Sequence, residues 1–123
     1  QSVDGNGGNF CVRHWQQAAP AGDGGGAVRW RQLSREGASD GAEACLRAMA
    51  FIDHEAVQPR GASLERADEV EQVYYVLDGH GVLSVDGSEH DFSEGDMIHL
   101  PPGTRHSVSN PHEDWVSYLI MAA

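Results

Sequence analysis

Residues 95–110 read GDMIHLPPGTRHSVSN. A glycine opens a short apolar run, MIHL (97–100). Pro101-Pro102-Gly103 makes a rigid corner, and His106 begins a second alternating run, HSVSN (106–110). Proline fixes its own φ and gives a sheet no amide hydrogen, and glycine takes left-handed turns that other residues resist. The chain must therefore leave one strand and enter another here, and it presents a histidine just past the corner. A side chain that titrates near neutrality is suited there to hold a ligand or move a proton. What it does depends on the partners the rest of the chain supplies.

The strand-and-corner pattern recurs along the chain. AVRWRQL (27–33) alternates, with Val28, Trp30 and Gln32 on one side and Arg29, Arg31 and Leu33 on the other. CLRAMAFIDHE (45–55) places Leu46, Ala48, Ala50, Ile52 and His54 on one face, so His54 is expected to enter the same interior as that apolar face, with a rim position in water as the alternative; Arg47, Asp53 and Glu55 fall opposite. A short helix over Glu43–Phe51 is the competing reading, since Ala, Leu, Arg and Met favour helix. EQVYYVL (71–77) is rich in the β-branched and aromatic residues of strands. VLSVD and SEHDF flank Asp86-Gly87, a two-residue hairpin signal. WVSYLIM (115–121) follows the Asn110-Pro111 break. About eight short strands with Gly/Pro turns and no βαβ alternation predict an all-β sandwich or barrel.

With 123 residues the chain makes one small domain. Its formal charge of −11 argues against nucleic acid and anionic membrane surfaces, both of which need a basic face. No window approaches the roughly 18 apolar residues of a membrane helix, and no secretory leader pattern is visible at the start. Cys11 and Cys45 lack CxxC spacing and read as free thiols of a cytoplasmic protein. Residues 1–8, QSVDGNGG, read as a tag remnant or disordered tail, leaving 9–123 as the single domain.

Two motifs carry a resemblance to the cupins, small double-stranded β-helix (jelly-roll) barrels. The second cupin motif runs G, five residues, P, any, G, two residues, H, three residues, N, and Gly95, Pro101, Gly103, His106 and Asn110 meet every spacing. The first runs H, any, H, three or four residues, E, six residues, G. Its tail is clear in EQVYYVLDGHG (71–81), ending on Gly79. Counting back, Gln72 stands at the Glu position. The paired His positions fall on Glu65 and Ala67 with the longer gap, or on Arg66 and Asp68 with the shorter one. Neither register holds a histidine. The resemblance implies a barrel with His106 pointing inward, and in typical cupins four such residues bind a divalent metal. Here one of the four is unchanged. Glu65, Gln72 and His106 form the candidate ligand set, with Asp68 and Glu69 nearby, but an amide oxygen is a weak ligand for zinc, iron or nickel.

The resemblance also places Gln72 inward, and Tyr74 shares its strand face. Candidate catalytic residues are thus His106, Tyr74, Glu65 and His54, and candidate substrate contacts are Gln72, Tyr74, Trp30 and His99. Packing is the alternative for Trp30 and Trp115, and an outward side chain the alternative for His99. The expected function is a small-molecule enzyme in which a barrel histidine moves protons for isomerisation, cyclisation, dehydration or elimination, without a tightly held cofactor. Composition rich in Ala, Gly, Arg and Asp suits a GC-rich bacterial genome, and a tailoring step in secondary metabolism fits that setting. A non-catalytic metabolite-binding barrel and a metal-dependent oxygenase or lyase with an unusual ligand set are the alternatives. A bare barrel of this size exposes strand edges, and cupins of this size commonly pair through N-terminal strands. A homodimer using Val28–Leu33 as its swapped or edge-pairing segment is expected.

Overall fold

The computed structural model describes residues 10–38 and 41–123, so the expected tail at 1–8 lies outside the described residues. Among the described residues, ten strands follow a single 3-10 turn at Trp15–Gln17: β1 (Pro20–Gly22), β2 (Ala27–Arg35), β3 (Glu43–Leu46), β4 (Phe51–Val57), β5 (Gln72–Asp78), β6 (His80–Val85), β7 (Ser88–Ser93), β8 (Met97–Leu100), β9 (His106–Ser109) and β10 (Val116–Ala122). The larger sheet runs β1-β2-β4-β10-β5-β8, with β3 also on β2; the smaller runs β7-β6-β9. The two face each other as a double-stranded β-helix, the expected fold. Among the described residues no helix is long and apolar enough to cross a membrane.

The corner motifs act as their chemistry requires. Asp86 and Gly87 both have positive φ (48° and 87°), the two-residue turn that joins β6 to β7. Past Pro101-Pro102, Gly103 takes φ 78° while Thr104 closes the turn onto the Pro101 carbonyl through its amide (3.2 Å) and its hydroxyl (2.8 Å). Asn110, 1% exposed, ends the motif as an anchor. Its Nδ2 donates to the Val57 carbonyl (3.2 Å) and the Asp114 carbonyl (2.7 Å). It thereby ties the end of β9 to β4 and to the turn before β10.

The core lies between the sheets. Val57, Val116 and Ile120 are wholly buried, Val76 and Val108 nearly so, with Leu83, Phe92 and Leu100 beside them. Each such side chain contributes about 1.5–3 kcal/mol. Two sequence expectations are corrected here. The run 45–55 is two strands, not one and not a helix: β3 pairs parallel with β2, bends intervene over 47–49, and β4 starts at Phe51. Within β4 the buried face is Asp53, Glu55 and Val57, so Ile52 and His54 point outward. And Val28–Leu33 is paired within the chain, with β4 along one edge and β1 and β3 along the other. A swapped or edge-paired dimer there would have to displace β1 or β3.

Gly79 tests the fold directly. It joins β5 to β6 at φ +83°, and a Cβ there would stand 2.6 Å from the Trp115 carbonyl oxygen. Gly79→Ala is therefore expected to cost about 1–3 kcal/mol of stability. The denaturant midpoint measures it; an unchanged midpoint would show that the turn is not under this constraint.

Candidate functional site

His106 opens β9 at 3% exposure. Its backbone exchanges both hydrogen bonds with Arg66 (2.9 Å each), which sets Arg66 directly across from it. The ring is held at both nitrogens. A carbonyl can only accept, so Nδ1–H donates to the Thr104 carbonyl (2.8 Å), leaving Nε2 as the acceptor. Nε2 then takes the Tyr74 hydroxyl at 3.1 Å. Arg66 Nη2 donates to that same phenol oxygen at 3.3 Å. Burial lowers the His106 pKa from the ordinary imidazole value; the Thr104 bond opposes this and the Arg66 charge adds to it. Burial likewise raises Tyr74, against the pull of Arg66. The result is a neutral imidazole whose lone pair faces a neutral phenol, with a guanidinium behind it.

A second network continues from Arg66. Its Nη1 lies 3.5 Å from Glu55 Oε2 and its Nε 3.3 Å from Asp68 Oδ2. Gln72, 1% exposed, donates to Asp68 Oδ2 at 2.6 Å, while its own Oε1 is buried with no hydrogen-bond partner. Glu55, also 1% exposed, accepts the Tyr118 hydroxyl at 2.5 Å and pairs with Arg29 at 3.0 Å. Asp53 takes a two-pronged contact from Arg31 (2.8 and 3.0 Å) and a further one from Arg29 (3.2 Å). Burial raises the Glu55 carboxyl to about 7; the Tyr118 bond pulls it down, and Asp53, Asp23 and Asp68 push it up. The guanidinia of Arg29 and Arg66 beside Glu55 favour its charged form and pull the other way.

The sequence-predicted residues divide. His106, Tyr74 and Gln72 come together inside the barrel. Glu65 does not: its side chain is 53% exposed and pairs with Arg105 at 3.3 Å. The shorter gap is the register the fold uses, and it turns Arg66 and Asp68 inward. His54 and Trp30 oppose one another on the outer face of the large sheet, where Trp15 covers both rings at 4.9 and 5.2 Å. His99 is also outside, 54% exposed and bonded to Glu71 at 2.6 Å, since its ladder partner Val73 lies on the outward face of β5. Sequence reading missed Glu55 and Tyr118. The available signal was charge: Arg29 and Arg31 on β2 match Glu55 and Asp53 on β4 at the same two-residue spacing.

The donor set does not fit a divalent transition metal at the four positions. Arg66, a cation, fills one; Asp68 is engaged by Arg66 and Gln72; and His106 Nε2 by Tyr74. Among the described residues no group of three or more His, Cys, Asp or Glu could hold a metal ion. A separate surface cleft of about 330 Å³, lined by His80, Asp91, Phe92, Asp96 and His112 among others, shares no residue with the barrel cluster.

Known proteins agree with this architecture. The Cupin domain family matches residues 53–122, more than half the chain. The protein belongs to the cupins. An uncharacterized protein of Methanocaldococcus jannaschii is 34% identical over 58 residues, a match spanning 46% of each chain. A predicted oxalate decarboxylase from Thermotoga maritima superposes with a TM-score of 0.73 at 19% identity, over 90% of this chain and 96% of that one. The polyketide cyclase RemF from Streptomyces resistomycificus superposes with a TM-score of 0.73 at 17% identity, over 92% and 78%. Likeness at such identities extends to the fold alone.

Glu55 generates a pH prediction. Its folded pKa of about 7 stands above the ordinary carboxyl value of 4.5, so the folded state holds the proton more tightly. The resulting stability is complete below about pH 4.5 and is lost as pH rises through about 7. Wild type should therefore lose on the order of 2–3 kcal/mol relative to Glu55→Gln across that window. Denaturant titrations at a series of pH values check it, and parallel curves for the two proteins would contradict the assignment.

Proposed function

We propose that this cupin is a small-molecule enzyme of the isomerase, cyclase or lyase kind, moving protons with Tyr74 and His106 and without the usual cupin metal. The observation that carries the reading is the chain of contacts from Thr104 O through His106 to Tyr74 and Arg66. Both imidazole nitrogens are taken, so the substrate meets the phenol and not the ring. A carbon acid bound against Tyr74 gives its proton to the phenol oxygen as the phenol proton passes to His106 Nε2, and the reverse transfer returns a proton at another atom. Arg66 supplies the fixed positive charge that favours negative charge developing at Tyr74 or on an adjacent enolate. Gln72 Oε1, buried without a donor, offers an acceptor for a substrate hydroxyl or amine. The setting we propose is a bacterial cytoplasm, with a tailoring step on a small metabolite as the task.

Proton transfer can be tested before the substrate is known. Incubating the protein in deuterated water with a panel of ketones, hydroxy-ketones, β-dicarbonyls and sugar phosphates should wash deuterium into at least one of them. His106→Ala, His106→Asn and Tyr74→Phe should each lower that rate by roughly 10²- to 10⁴-fold. The wild-type rate should fall as pH drops through a value below the ordinary imidazole pKa, where His106 takes a proton, and a chelator should leave it unchanged. Binding without exchange would assign the barrel to a metabolite carrier. That second reading has one observation in its favour, the engagement of Arg66 by Glu55, Asp68 and Tyr74. Loss of exchange with chelator, restored by one metal, would hand the function to the metal-dependent alternative.

We further propose a homodimer that packs the outer face of the large sheet instead of pairing strand edges. Trp30, His54, Leu119, Tyr75 and Met97 line up across β2, β4, β10, β5 and β8, and Met97 is 72% exposed. Light scattering of the wild type should give twice the chain mass, and Tyr75→Glu with Met97→Glu should give the chain mass. A monomeric wild type removes the proposal.

A further inference from the structure

The two cysteines, far apart in sequence, are neighbours in the fold. Cys45 lies on β3 and Cys11 on the segment that precedes the 3-10 turn, in a one-residue β-bridge. The Cys11 thiol is within hydrogen-bonding reach of Cys45. Two positions along, Arg13 Nη1 reaches Glu43 Oε1 at 4.0 Å. The contacts 11 with 45 and 13 with 43 step in opposite directions by the same two residues. Two segments running in opposite directions would make contacts with that spacing. Both thiols are free and partly exposed.

From this juxtaposition we propose that Cys11 and Cys45 form a reversible intramolecular disulfide that pins the N-terminal segment to β3, a modification site separate from the barrel interior. The segment it would fasten carries Trp15, which covers Trp30 and His54, and it is otherwise held by the Gln32 Nε2 bond to the Trp15 carbonyl (3.0 Å), the buried Ala18 and the Arg13–Glu43 pair. A covalent link would add to these contacts a constraint that does not depend on side-chain packing.

The chemistry balances with a two-electron oxidant of the peroxide class. The Cys45 thiolate attacks one peroxide oxygen, the O–O bond breaks, hydroxide leaves, and Cys45 carries a sulfenic acid. Cys11 sulfur then attacks the Cys45 sulfur, the S–O bond breaks, and the thiol proton leaves with the hydroxide as water. Two thiols and one hydrogen peroxide give one disulfide and two waters. The hydrogen bond to Cys45, and then burial, push the Cys11 thiol up to about 11, and the balance is the same whichever thiol reacts first. A small-molecule thiol reverses the link by exchange.

The test uses the whole chain, reduced and then freed of reductant. After one equivalent of hydrogen peroxide, an acid quench and N-ethylmaleimide labelling under denaturing conditions, intact mass should show a monomer lacking two hydrogens and carrying no label. Peptide mapping should find Cys11 joined to Cys45, and dithiothreitol should restore both labels. The oxidised protein should melt roughly 10 °C higher than the reduced protein, since the link closes a long loop in the unfolded chain. Cys11→Ser and Cys45→Ser should each lose that rise. Full labelling of both cysteines after peroxide, oxidation of either to a sulfinic or sulfonic acid in place of a link, or a disulfide between two copies would each overturn the disulfide. An unchanged or lower melting temperature in the linked protein would overturn the pinning.

Discussion

The structure depends on keeping charge paired inside a barrel. Asp53 and Glu55 are withdrawn almost wholly from water on β4, and an unpaired buried carboxylate is costly. Three guanidinia answer them: Arg29 and Arg31 from the neighbouring strand, and Arg66 from the segment bridging β9. Arg66 is the member that joins the network to chemistry, because it touches Glu55, Asp68 and the Tyr74 hydroxyl. Removing it would take one partner from each of three polar groups at once.

That constraint explains why the apolar residues of the large sheet sit where they do. In β2 and β4 the inward positions belong to the ion pairs, so Trp30, Ile52 and His54 are driven to the other face. The N-terminal segment covers part of that face with Trp15, and Tyr75, Leu119 and Met97 continue it across the sheet. The interior is thus apolar around Val57 and Val116, and ionic beside Asp53, Glu55, Tyr74 and His106.

A cationic side chain where relatives of the fold place metal ligands also changes the available chemistry. A metal polarises a bound oxygen and can exchange its own ligands; a guanidinium offers fixed charge and directed N–H groups only. Arg66 backs a phenol whose proton points at a neutral imidazole, so acid–base work is the chemistry this arrangement suits. Glu55, with its carboxyl raised to about 7, is a second group in the same network that changes charge near neutrality.

The sequence by itself determined the topology and one end of the site. Asp86-Gly87, Gly95, Pro101 and Gly103 act through local backbone geometry, which needs no tertiary context. Their spacing therefore announced the corners; the resemblance to the cupins implied the barrel and the inward His106 and Gln72, and strand alternation carried Tyr74 with Gln72. Tertiary structure decided the rest. Alternation says which residues share a face but not which face is inside, and the habit of placing apolar residues inward misdirected His54 and Trp30, because here the interior is ionic. A one-residue ambiguity in the gap before Gln72 was enough to exchange Glu65 for Arg66, since neighbouring residues on an extended chain point opposite ways. And Glu55, Tyr118 and Arg66, or Cys11 and Cys45, meet only because strands distant in the chain are brought into contact, which no local pattern records.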